Sequence, residues 1–284
     1  MKRKIYQVDA FTDQAFGGNA AGVMVNAEGL TENQMLIIAR EMQLSETAFV
    51  FPGSSDYDFE VRFFTPTEEV DLCGHATIAT FSLLKELGMI KKDKLVQKTK
   101  AGLLDIEFID DKVVMTQADP VCVDVNIDLD HFAFIMGIDK DLIGIDLMKG
   151  PEVWSTGLKD IMLPVKSKEA LKDISPNMGK LASLSHELDV IGVHAFTLDE
   201  KDVWCRNFAP GCGINEEAAT GTSNGALGAC LYNKGLKEND ELSFYAYQGY
   251  WMESPSQIYV KVSDKRVLVG GKAVTVLAGE ILLP

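Results

Sequence analysis

Arg62-Phe63-Phe64-Thr65-Pro66-Thr67-Glu68-Glu69-Val70-Asp71-Leu72-Cys73-Gly74-His75-Ala76-Thr77 decides the fold, because its plan returns later in the chain. A β-rich run stops at Pro66, an acidic loop (Thr67–Asp71) follows, and Cys73-Gly74-His75 opens a helical segment closing at Gly88. The second version reads Arg206-Asn207-Phe208-Ala209-Pro210, then the acidic Asn215-Glu216-Glu217. Thr220-Gly221-Thr222 then opens a helical segment closing at Gly235. Each segment is about four turns long and ends at glycine, the residue that most easily takes the left-handed C′ position.

Outward from these helices the correspondence continues. Three strand-like runs follow each one: Lys94–Lys100, Leu103–Ile109 and Lys112–Gln117 in the first half, Glu241–Gln248, Gln257–Val262 and Arg266–Val269 in the second. An amphipathic helix and a strand precede each unit. Thr31 through Gln43 leads into Glu46–Phe51, with Thr31 and Gln34 at capping-box spacing. Asn177 through Leu188 leads into Val190–Thr197. Helix 75–88 is apolar or small nearly all round, which predicts burial. Gly225, Ala226, Gly228 and Ala229 let its counterpart pack closely.

The repeat predicts an α+β protein of two similar lobes, each a β-barrel-like sheet around a central helix. The expected lobes are 1–120 and 121–284, related by a pseudo-two-fold with a cleft between them. The boundary falls in 120–150, where periodicity is weakest.

The 284 residues carry 27 Lys and Arg against 42 Asp and Glu, a net charge of −15. So acidic a surface repels phosphate backbones and anionic lipid, which argues against nucleic acid and membranes as partners. Met1 to Asp9 has basic residues but no apolar core behind them, unlike a signal peptide. Cys73, Cys122, Cys205, Cys212 and Cys230 are odd in number and scattered, as in a reduced cytoplasmic protein. The expected partners are a small carboxylate substrate and a second copy of the chain, as a homodimer.

The chemistry is expected at the two helix N-termini. Leading helix amides lack internal partners and carry partial positive charge, so Gly74-His75-Ala76 and Gly221-Thr222-Ser223 suit a carboxylate. The positive end beside His75 should keep its imidazole neutral. Cys73 and His75 form one ligand pair without a second, so no zinc site is expected. Glu46, between Ser45 and Thr47, and the Glu216-Glu217 pair are by themselves ordinary carboxylates. Gly221-Thr222-Ser223-Asn224-Gly225 matches the G-x-S-x-G elbow, but no histidine follows it and no buried strand precedes it. No nucleotide-binding glycine loop occurs, so no cofactor is expected.

Taken together, these segments resemble the PhzF-like family of the diaminopimelate-epimerase fold. Phe16-Gly17-Gly18-Asn19 through Val23 is similar to its G-G-N-P-x-x-V signature, Ser45 through Phe49 to S-E-T-A-F, and Cys73 through Thr77 to C-G-H-A-T. Phe208 through Thr222 resembles its long F-x-P…T-G-S motif, and Gln248-Gly249 its late Q-G pair. The resemblance runs over essentially the whole chain. It implies a cofactor-free isomerase shifting a proton, as on trans-2,3-dihydro-3-hydroxyanthranilate. It also implies that Glu46 carries the proton, His75 and Glu217 assist, and Gly74, Ala76, Gly221, Thr222 and Ser223 bind substrate. A proton carrier should have its pKa raised by burial, with the Ser45 and Thr47 hydroxyls orienting it. Departures are Glu217 for Asp, Ala218 for Pro, Thr222 for Ser and Ala20 for Pro. The alternatives are an amino-acid epimerase, for which the second lobe shows Ala218-Ala219 in place of a thiol, and a binding protein without turnover.

Overall fold

A computed structural model describes residues 2–200, 202–264 and 266–283. The chain opens with β1 (Lys2–Ala10), β2 (Asn19–Met24), α1 (Glu32–Met42), β3 (Thr47–Pro52), β4 (Phe59–Phe64) and β5 (Glu69–Val70). The buried helix α2 (Gly74–Glu86) and strands β6 (Lys94–Thr99), β7 (Gly102–Ile109) and β8 (Lys112–Thr116) complete the first run. The second run is β9 (Val121–Val123), α3 (Leu129–Met136), β10 (Glu152–Ser155), β11 (Lys159–Pro164), α4 (Lys168–Asp173), α5 (Met178–Glu187), β12 (Gly192–Asp199), β13 (Asp202–Ala209) and β14 (Ile214–Glu217). It continues with α6 (Gly221–Asn233), β15 (Glu241–Gln248), β16 (Ser256–Ser263) and β17 (Arg266–Gly271), and the chain closes on β18 (Ala273–Leu282).

The two runs share one pairing scheme. In the first, β1–β2 is antiparallel, β2–β3 parallel, β3–β4 and β4–β5 antiparallel, β4–β6 parallel and β6–β7 antiparallel. In the second, β10–β11, β11–β12, β12–β13, β13–β14, β13–β15 and β15–β16 repeat that series of directions. The duplication inferred from the helices therefore extends to the whole sheet of each unit.

The first compact unit comprises Met1–Thr116 and Gly270–Pro284, the second Gln117–Val269. This corrects the 121–284 lobe. β18 lies antiparallel to β1 from Lys2–Leu282 to Ala10–Ala273, so the chain ends in the unit where it began. In the second unit β9 holds the equivalent place beside β10.

Each unit wraps its sheet around one helix. In α2, Ile78, Ala79, Phe81, Leu83 and Leu84 are all buried, and α6 is buried from Ser223 to Leu231. Small residues set the closeness of α6: a Cβ at Gly228 would stand 2.6 Å from Val260 Cγ1. Gly88 (φ 71°) and Gly235 (φ 94°) occupy the left-handed positions after the two helices. On the outer face of the first unit, α1 packs Met35 and Ile38 against Met24, Phe49 and Phe64. On that of the second, α3, α4 and α5 bury Phe132, Leu171 and Leu181 over Leu163 and Phe208. Sheets covered on both faces explain the unbroken burial of residues 47–50 in β3 and 192–197 in β12.

The acidic loops are partly strands. Glu69 and Glu216 lie in β5 and β14, each gripped by the arginine of its own repeat. Arg62 Nε and Nη2 donate to the two oxygens of Glu69, both at 2.7 Å. Arg206 grips Glu216 in the same way at 2.8 and 2.9 Å. Two parallel N–H···O bonds give a fork that fixes direction as well as distance. The repeated Arg and Glu therefore clamp the turn that feeds each central helix.

Candidate functional site

In the first unit, Glu46 precedes β3. Its carbonyl accepts the Gly22 amide at 3.0 Å, and a Cβ at Gly22 would stand 2.7 Å from Thr47 Oγ1. That close parallel pairing of β2 and β3 fixes where Glu46 leaves the sheet. Cys73 caps α2 without a side-chain cap bond, and His75 lies in the first turn. Two segments that are distant in sequence thus deliver one constellation. His75 Nε2 stands 3.2 Å from Glu46 Oε2, and Cys73 Sγ is 3.4 Å from His75 Nδ1 and 3.9 Å from Nε2. The His75 side chain is 7% exposed and that of Glu46 19%, and Glu46 Oε2 itself has no solvent contact and no aligned hydrogen bond.

The electrostatics reverse two expectations. Burial pushes the Glu46 carboxyl up, but the neighbouring His75 and Cys73 outweigh it and hold it below the usual carboxylate range. Burial disfavours an imidazolium at His75, yet Cys73 and Glu46 raise it well above the ordinary histidine value. Glu46 is therefore the ionised partner of a protonated His75, rather than a proton-holding acid beside a neutral imidazole. The Ser45 and Thr47 hydroxyls do not orient it: Ser45 is exposed, and Thr47 Oγ1 is buried without a hydrogen-bond partner. Burial also keeps the Cys73 thiol above its ordinary value.

In the second unit, Glu217 ends β14 and pairs with Asn207 of β13. Its Oε2 accepts the Thr220 hydroxyl at 2.6 Å. Gln248 braces the loop from below: its Nε2 donates to the Glu217 carbonyl at 2.8 Å, and its Oε1 accepts the Thr220 amide at 3.2 Å. Gly249 is required here, because it sits at φ 76° and a Cβ would stand 2.2 Å from the Ser254 oxygen and 2.7 Å from that of Ala218.

Beneath the start of α6 runs a buried polar chain. Ser223 Oγ donates to Asp160 Oδ2 at 2.6 Å and accepts from Asn207 Nδ2 at 3.1 Å. Asn207 Nδ2 also reaches His194 Nδ1 at 3.2 Å, and His194 Nε2 lies 3.3 Å from Asn224 Oδ1. Asn224 Nδ2 then donates to Gln248 Oε1 at 2.9 Å. An accepting Nδ1 places the ring proton on Nε2. Burial agrees, lowering His194 to about 4 against a small opposing effect of Asn224. Burial drives Asp160 up to about 6, with Ser223 opposing, Glu217 adding and the Gly192 amide opposing.

The nominated residues separate into two groups. Glu46 and His75 share one constellation in the first unit; in the second, Glu217 meets Thr220, and Gly221 and Thr222 open α6 directly after it. Gly74 faces open space, since nothing lies within 4 Å of a Cβ built there. Ala76 and Ser223 depart from the expected substrate contacts. Ala76 is fully buried, its amide directed at Cys73, and the buried Ser223 hydroxyl is committed to Asp160 and Asn207. The sequence reading missed Asp160, Asn207 and Asn224, whose pattern carries no periodic signal. Where Cys73 stands at the cap of α2, Thr220 and not a thiol stands at the cap of α6. Among the described residues no helix is long and apolar enough to cross a membrane.

Comparison with known proteins agrees with the geometry. The family model described as phenazine biosynthesis-like protein matches residues 8–279. An uncharacterized isomerase of Clostridium acetobutylicum is 37% identical, covering 99% of both chains. The crystal structure of the Bacillus anthracis phenazine biosynthesis protein of the PhzF family superposes with a TM-score of 0.91 at 29% identity over 100% of both chains. A hydroxyproline epimerase from Agrobacterium vitis shares the fold, with a TM-score of 0.60 at 13% identity over 99% of this chain and 92% of its own. With the repeated sheet, the two helix ends and near-complete coverage all in agreement, this chain belongs to the PhzF, or phenazine biosynthesis-like, family.

Proposed function

We propose that this isomerase moves a proton on a small cyclic carboxylate substrate, of the trans-2,3-dihydro-3-hydroxyanthranilate type, with Glu46 as the carrier and no cofactor. The observation that carries the reading is the Glu46 carboxylate held 3.2 Å from His75 at the start of α2, with an oxygen that no hydrogen bond satisfies. The lowered pKa of Glu46 keeps it ionised in the free enzyme, the form needed to accept a proton. Glu46 takes a proton from an activated carbon, whose electron pair spreads into the conjugated system. The protonated carboxyl exchanges that proton with solvent and delivers a proton to another carbon, so nothing is oxidised or reduced. His75 steadies the carboxylate between steps. The leading amides of α6, at Gly221, Thr222 and Ser223, suit the substrate carboxylate, and Glu217 suits an amino or hydroxyl group. A homodimer belongs to the same proposal, and light scattering of the purified protein tests it.

Solvent-deuterium incorporation tests the chemistry. Small cyclic amino acids and related carboxylates are incubated with the protein in deuterated water. Label appears in a turned-over substrate and is lost with Glu46→Gln. A protein that binds such compounds and labels none of them is a binding protein, which defeats the reading.

A further inference from the structure

We propose that Cys73, His75 and Glu46 form a site for a single thiophilic divalent cation such as Zn²⁺, which takes Glu46 out of proton transfer when it binds. The cation-binding half of this proposal stands apart from the proposed isomerase chemistry, and only the inhibitory half rests on it.

The donor set comes first. A thiol sulfur, an imidazole nitrogen and a carboxylate oxygen lie within 4.8 Å of one another. Sulfur and imidazole select zinc-like ions over magnesium or calcium, which prefer oxygen alone. The distances between donors also suit a tetrahedral ion. Bonds of about 2.3 Å to sulfur, 2.0 Å to nitrogen and 2.1 Å to oxygen separate sulfur from nitrogen by about 3.5 Å, and nitrogen from oxygen by about 3.4 Å. His75 Nε2 stands 3.9 Å from Cys73 Sγ and 3.2 Å from Glu46 Oε2. Shifts of a few tenths of an ångström close both edges onto an ion.

The frame is already set. Cys73 is extended (φ −139°, ψ 119°) at the cap of α2, His75 lies in its first turn, and the Gly22 amide holds the Glu46 carbonyl. Cys73 and His75 are buried, and Glu46 Oε2 is a buried carboxylate oxygen with no aligned donor, a group whose satisfaction is worth free energy. On binding, the ion replaces the Cys73 thiol proton and the His75 Nε2 proton, and both leave to solvent. Three protein ligands leave a fourth position open, the arrangement of an exchangeable site rather than a structural one. The fold has no need of the ion, since α2 is anchored by Ile78, Phe81, Leu83 and Leu84.

Cobalt(II) is the probe, because thiolate bound to cobalt absorbs in the near ultraviolet and four-coordinate cobalt gives intense visible bands. The full chain, reduced, stripped with EDTA and desalted, is titrated with Co²⁺ and then Zn²⁺. Saturation at one equivalent with a thiolate band, displaced by one equivalent of Zn²⁺, is expected. Cys73→Ser should lose the thiolate band and bind Zn²⁺ at least about tenfold more weakly. A Cys122→Ser/Cys212→Ser double variant should keep the band, since those exposed cysteines lie in the other unit. Glu46→Gln, which keeps the thiol and the shape, supplies the second variant: its thiolate band persists while Zn²⁺ affinity falls at least about tenfold. Circular dichroism confirms that each variant is folded. Absence of a thiolate band in the wild type, or its survival in Cys73→Ser, overturns the site. These readouts need no substrate, so they are unaffected if the exchange assay fails.

Discussion

Asp160→Asn isolates one electrostatic cost built into the second unit. Asp160 is buried on β11 with its Oδ2 receiving the Ser223 hydroxyl, and burial lifts its pKa from 3.8 to about 6. That rise corresponds to about 3 kcal/mol of differential interaction between the neutral and ionised forms. The folded-state pKa lies above the unfolded one, so the stability it confers is complete below pH 3.8 and lost as pH rises through 6. Asparagine keeps the shape and accepts the Ser223 hydroxyl without ever ionising. The variant should match the wild type to within about 1 kcal/mol at pH 4.5 and exceed it by about 3 kcal/mol at pH 7.5. The assay is guanidinium unfolding of both proteins at those two pH values, comparing the change in their difference so that every other titrating group cancels. A gap that does not widen by about 2 kcal/mol between them shows that Asp160 stays ionised throughout, and the burial argument fails.

Three further outcomes rest on separate contacts. Glu46→Gln should bind substrate yet lose at least about a hundredfold in solvent-deuterium exchange, the usual worth of a general base; equal exchange rates place the carrier elsewhere. Cys73→Ser should retain measurable turnover, whereas silence would revive an epimerase using that thiol. Gly249→Ala should lower the melting temperature of the second unit by an amount equivalent to about 2 kcal/mol or more, because the left-handed backbone and the 2.2 Å approach to Ser254 both resist a Cβ; an unchanged melt contradicts the tight turn.

Legibility in the sequence followed the length of each pattern. The two central helices showed themselves by apolar surface all round and by a closing glycine, and α1 by the Thr31–Gln34 capping box, which is fully formed. The segment from 120 to 165 did not. There β9 spans Val121–Val123 and β10 spans Glu152–Ser155, too short to display a period, and α3 is a helix of only 8 residues. β18 was hidden for another reason: no residue from Ala273 to Leu282 is fully buried, so no alternation marks it as a strand, and its partner β1 lies at the far end of the chain. Glu69 and Glu216 read as loop composition because an acidic residue in a turn and one clamped by a distant arginine look alike in one dimension.

The same limit explains why the candidate site was found but its electrostatics were inverted. Glu46 and His75 stood out through their motifs, and burial alone argues for a raised carboxyl. What decides the direction is the partner, and partnership depends on the β2–β3 register that carries Glu46 to the start of α2. Gly22 opposite Thr47 sets that register with a contact no side chain would permit, so a glycine outside the constellation governs the charge state inside it. Gln248 acts likewise in the second unit. It follows β15's run toward a turn that Gly249 alone can make, and its amide reaches both Glu217 and Thr220. A carboxylate at a helix start is positioned in each unit by a residue whose own chemistry is inert. Such residues are visible in sequence only as unexplained glycines and glutamines, and their role becomes physical once the pairing of strands is known.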